Sequence, residues 1–149
     1  MSTPPAPTAD EAMEIAKAFV DIADTAADGD LDKAAEMFRI YLGSDPMMAA
    51  FRLWYFAGCG PVLVCAAVRR LNEDRLTGGE FWAIRPDTTE PSALAALQAV
   101  TAMLNNDEDA AHDALSAHAN VAGLDGLQES VLHLIRMFAS VQKEKMRRG

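Results

Sequence analysis

Two pairs of side chains in the second half of this chain have the types and spacing of metal ligands. Glu108 with His112, and Glu129 with His133, are each four residues apart, which on a helix places both members of a pair on one face. Carboxylate and imidazole pairs on adjacent helices hold metals in helical bundles. Glu108, His112, Glu129 and His133 are therefore a candidate metal or small-ligand site, enzymatic or not. Against it, the familiar di-iron motif uses a spacing of three, and such sites need further inward carboxylates. Both histidines fall just off the apolar stripes of their helices, where solvent-exposed ion pairing is the competing role. His118 differs. It lies on the stripe with Ala111, Ala114 and Leu115 and reads as a core histidine with one nitrogen satisfied. Cys59 stands between two glycines just before Pro61, near an expected helix start whose dipole favours a thiolate. The sequence places no base beside it. Phosphate loop, nucleophile elbow, zinc spacing and dinucleotide fingerprint are all missing, so no catalytic residue and no cofactor is assigned.

Composition narrows the rest. At 149 residues the chain fits one domain with a sizeable core. Alanine and leucine recur and long β-branched runs are missing, which predicts an all-α fold. The net charge of −9 argues against general nucleic-acid binding, which needs a basic face. Acid gathers in the first third, where Asp21, Asp24 and Asp28 suggest a docking surface for a basic protein partner. The two cysteines, Cys59 and Cys65, match no metal or redox spacing and read as buried thiols of a reducing compartment. The start, MSTPPAPTAD, lacks the basic and apolar regions of a secretion signal, so a cytoplasmic location is expected.

The elements that must position these groups are organised around residues 47–68, MMAAFRLWYFAGCGPVLVCAAV. Gly58, Gly60 and Pro61 interrupt this run, and proline lacks an amide donor, so it predicts two short helices, 47–58 and 61–71, buried on every face, rather than a membrane span. Before it, Thr8 and Glu11 form a capping box for a helix with Ala12, Ile15, Ala16, Phe19, Ile22, Ala23 and Ala26 inward. A turn at residues 28–30 leads to a second helix with Leu31, Ala34, Ala35, Phe38 and Leu42 inward, and Ser44 or Asp45 caps the next, with Pro46 at its first position. After it, Phe81 and Trp82 belong to a short extended linker at 81–85 that covers the bundle or forms an interface. Pro91 starts a helix with Leu94, Leu97, Thr101 and Leu104 on one face and Ala93, Ala96 and Val100 beside them. Asn105, Asn106 and Asp107 end it, and two more helices follow, 108–119 and one capped at Asp125 with Leu127, Val131, Leu134, Phe138 and Val141 inward. The sum is a single-domain bundle of six to seven helices over 8–146, with a loose tail at 1–7 and a basic tail at 147–149.

The halves 8–72 and 91–146 resemble one another. DGDLDKAAEMF from Asp28 answers NNDEDAAHDAL from Asn105, which suggests a duplicated three-helix unit. The run GDLDKAAEMFRIYLGSDP, 29–46, also resembles the second helix of a tetratricopeptide repeat: the Gly-Asp turn, the small Ala34, the aromatic Phe38 and the closing Asp45-Pro46 fall where that motif has them. The resemblance covers about a quarter of the chain and implies a helical scaffold that binds other proteins. The expectation is a small acidic adaptor or regulator. Asp21, Asp24, Asp28, Phe81 and Trp82 would touch its partner, and the surplus of aromatic side chains favours self-association.

Overall fold

The computed structural model describes residues 6–71 and 90–148, so the linker expected at 81–85, with Phe81 and Trp82, lies outside the described residues. Among those residues there are five helices and no strand: α1 (Ala9–Ala27), α2 (Leu31–Leu42), α3 (Pro46–Leu71), α4 (Pro91–Leu104) and α5 (Glu108–Arg148). The all-α expectation holds. The expected break at Pro61 is not there, since α3 runs unbroken through it, whereas α5 joins two helical segments across a kink at Gly123.

Local chemistry sets most boundaries. Thr8 Oγ1 accepts from the Glu11 N–H at 3.2 Å, and Glu11 Oε1 accepts from the Thr8 N–H at 3.2 Å, completing the expected box. Asp30 and Asp107 accept from the Lys33 and Ala110 amides at 3.1 and 3.0 Å. Asp45, rather than Ser44, takes the Met47 amide at 3.0 Å. The two interhelical turns match bond for bond. Asp30 N–H reaches Thr25 O at 3.3 Å and Asp107 N–H reaches Ala102 O at 2.8 Å, with Gly29 and Asn106 both at positive φ, 93° and 63°. The bends that follow match as well. Gly43 ends α2 at φ 76°, ψ −172°, and Gly123 bends α5 at φ 74°, ψ −166°, a conformation open to glycine alone. The non-helical backbone at Gly123 divides α5 into two helical segments, close to where the sequence starts a new helix at Asp125.

Helix α3 is the centre, packed against all four other helices. Proline in mid-helix forfeits one hydrogen bond, but here tertiary cover outweighs that loss: Leu53, Phe56, Ala57, Gly60, Pro61, Val64 and Cys65 are all buried. Phe19 of α1 sits between the rings of Phe56 and Phe138, edge-on to both at 5.4 and 5.9 Å, and ties the first half to the second. A Cβ on Gly60 would lie 2.9 Å from Leu134 Cδ1 and 3.3 Å from Phe19, so glycine lets α3 and α5 approach closely. Although α3 is long and apolar enough to cross a bilayer, two of its three arginines are used inside the fold. Arg52 donates to Leu42 O at 3.2 Å and Arg69 to Leu104 O at 2.9 Å, each closing the carbonyl end of another helix.

Three expectations about burial need correction. Helix α3 is not covered all round: Gly58, Val62 and Ala66 form an exposed strip at helical spacing. Helix α2 packs only on α1 and α3, so Leu31 and Ala35 are exposed while Ala34 and Phe38 are buried. In α4 the buried face is the small-residue one, Ala93, Ala96, Ala99 and Val100. Leu94, Leu97 and Thr101 are only half-buried, because close packing of α4 on α5 favours alanine at the contact.

Candidate functional site

The capping box that starts α1 also shapes a cavity beside α3. Pro7 precedes the cap and Ala12 stands one turn inside the helix, the two positions at which apolar side chains pinch the entering chain. Both line a cavity of about 380 Å³ that α1 shares with α3 and α5. Its walls are largely apolar: Ile15 from α1, Trp54 and Ala57 from α3, and Leu115 from α5. Tyr55, Cys59 and His112 supply the polar atoms, and among the described residues no lysine, arginine, aspartate or glutamate lines it. Gly58 forms part of the wall, and a Cβ built on it would meet nothing within 4 Å.

The polar members are poorly suited to catalysis. Burial pushes the Cys59 thiol up to about 12, the opposite of what a nucleophile or a metal thiolate needs. Its Sγ lies 3.9 Å from Phe56 O. His112 Nε2 is 3.2 Å from Ser116 Oγ, and its ring centre is 6.4 Å from that of Trp54. The Trp54 Nε1–H is buried and has no hydrogen-bond partner among the described residues, and neither has the Tyr41 hydroxyl. Tyr41 stacks on Phe56 at 4.2 Å, and desolvation raises its phenol well above the ordinary value.

The four residues read as a metal site are not brought together. Glu108, His112 and Glu129 are exposed, and His112 pairs with Ser116 rather than Glu108. His133 points its Nε2 at Glu90 Oε2, 3.3 Å away, instead of at Glu129, and lines a different cavity from His112. Among the described residues no group of three or more metal-capable side chains assembles. Glu90 is the N-cap of α4. Its carboxylate accepts from the Ser92 and Ala93 amides at 3.0 and 2.8 Å, and these bonds, then His133, hold its carboxyl below the usual range.

His118 behaves as the core reading expected, with Nε2 2.7 Å from Ser92 Oγ. Ser92 is buried, and Ser130 Oγ donates to its carbonyl at 2.9 Å, so the pair pins α4 to both segments of α5. With Ser92 4% exposed, substrate has no approach to its hydroxyl. Of the acidic surface, Asp21 and Asp28 are exposed, whereas Asp24 is half-buried and accepts from Gln142 Nε2 at 3.1 Å.

No family model, curated protein or solved structure matches this chain.

The sequence reading missed this cavity because its lining comes from three helices and a tail, none of which carries a motif. One signal was available: a glycine at position 58 inside a run otherwise suited to helix lowers helix stability by ~1 kcal/mol relative to alanine.

Proposed function

We propose that this protein is a non-catalytic binding module that holds a compact, uncharged and largely apolar small molecule in the cavity between α1, α3 and α5. The observation that carries this reading is Gly58. A mid-helix glycine is unfavourable, Gly58 lines the cavity at its exposed edge, and nothing crowds the space where a side chain would stand. The volume lies within the ~300–1,000 Å³ range of small-molecule sites. The lining among the described residues carries no charge, which selects against ions, since a buried charge needs a partner. The matched turns and glycine bends favour a second, historical proposal, that α1–α3 and α4–α5 descend from one doubled unit.

Titration with a neutral solvatochromic dye tests the binding reading. The unmodified protein should take up one dye saturably. Gly58→Leu should lose binding by ten-fold or more while its melting temperature stays level or rises. Unchanged dye binding by Gly58→Leu would overturn the assignment.

A further inference from the structure

A second groove lies on the opposite flank of α3, towards the ends of α3 and α5. From their contact at Gly60 and Leu134 these helices continue side by side, and with Val20 of α1 they enclose about 490 Å³. Leu63, Ala67, Phe138 and Val141 give it an apolar floor. Arg70 and Lys145 stand on its rim. Both are exposed, and neither has a hydrogen bond or ion pair among the described residues.

The setting makes those two cations notable. The chain carries a net charge of −9, so unengaged positive groups that meet over one apolar groove run against the general balance. Two neighbouring cations are engaged, Arg69 closing α4 through Leu104 O and Arg147 pairing with Glu144. One acid stands next to the groove, Asp24, whose Oδ1 accepts from Gln142 Nε2 of the lining, and its single negative charge faces the two positive charges of Arg70 and Lys145. An apolar trough with two cations at its rim, unpaired among the described residues, complements a molecule with a tail and an anionic head. Between Leu63 and Leu71 helix α3 advances about 12 Å at ~1.5 Å per residue, which suits a tail of medium length.

We infer that this groove binds a single-chain amphipathic anion of the fatty-acid class, with the tail along Leu63, Ala67, Phe138 and Val141 and the carboxylate at Arg70 and Lys145. The apolar floor supplies affinity and the two cations supply the sign of the head group. The site is separate from the Gly58 cavity, which has no charged lining among the described residues, and does not depend on it.

The test is calorimetric titration of the full chain with dodecanoate below its micellar concentration. Dodecanol and dodecyltrimethylammonium carry the same tail with a neutral and a positive head. Dodecanoate should bind one to one, tighter than either analogue and more weakly as salt rises. Arg70→Gln with Lys145→Gln should weaken dodecanoate about ten-fold and leave dodecanol unchanged. Both residues are exposed, so the fold should survive, and circular dichroism checks it. Ala67→Phe, which fills the floor, should weaken all three ligands. Equal affinity for the cationic analogue, or full dodecanoate binding by the double variant, would overturn the inference. Loss of dodecanoate binding in Gly58→Leu would place the ligand in the other cavity. Binding to anionic vesicles without binding of monomeric dodecanoate would make the surface a membrane contact and likewise reject the inference.

Discussion

Gly58 and Gly60 stand two positions apart in one helix, and their surroundings are opposite. A side chain at Gly60 would run into Leu134 and Phe19, whereas one at Gly58 would enter open space. On the first side α3 is sealed by aromatic contacts and by close approach to α5. On the second it is left uncovered above a cavity walled by Trp54, Tyr55 and Leu115. The same residue type thus does two jobs, admitting a neighbouring helix at one position and keeping room for something else at the other.

The largest expected effect breaks the sealed side. Phe56 is fully buried and meets the rings of Phe19, Tyr41 and Phe38 at 5.4, 4.2 and 6.0 Å. Phe56→Ala should lower unfolding free energy by ~3–5 kcal/mol in a urea titration; a loss below ~1 kcal/mol would mean that this side is not the keystone. Next comes the direct contrast. Gly60→Leu should destabilise by ~1–3 kcal/mol through overpacking, while Gly58→Leu should be neutral or stabilise by up to ~1 kcal/mol. Equal effects at the two positions would erase the distinction between the faces. The smallest effect is a slope. With its thiol pushed up to about 12 by burial, Cys59 holds its proton more tightly folded than unfolded, where the value is ~8.5. The stabilisation is therefore complete below about pH 8.5 and fades as pH climbs towards 12. Urea midpoints from pH 7 to 10 should fall more steeply in the parent than in Cys59→Ala, and parallel lines would show that the thiol is not shielded.

The sequence read well where one residue decides one local bond. The Thr8–Glu11 box, the aspartate caps at 30 and 107, and Pro46 and Pro91 at helix starts all follow from short-range chemistry. The stripe of α1 was equally legible, because Phe19, Ile22, Ala23 and Ala26 face a core on three sides. It read poorly where tertiary cover overrides local preference. Pro61 marks a helix break by every local rule, yet α3 continues through it under the packing of its neighbours. In α4 the side named first, Leu94, Leu97 and Thr101, is only half-buried, while Ala93, Ala96 and Val100 beside it, with Ala99 and Leu104, make the contact. The candidate site was the least legible part. His133 found its partner at Glu90, 43 positions upstream, rather than at the helical neighbour Glu129, and the cavity at Gly58 is assembled from segments with no pattern in common.

The central place of α3 has a consequence for the making of the protein. Synthesis delivers Pro46–Leu71 before α4 and α5, the helices that cover much of it. A nascent chain that has emerged through Leu71 can shelter this helix only with α1 and α2, leaving the α4- and α5-facing side chains Val64 and Cys65 without their final neighbours. At ~5–20 residues per second the remainder takes several seconds to appear. For that interval an apolar segment of near-membrane character is a client for holding chaperones and a seed for aggregation. Yield and solubility therefore depend on how promptly the C-terminal half follows, and a translational pause after Leu71 should harm this protein more than one placed near its end.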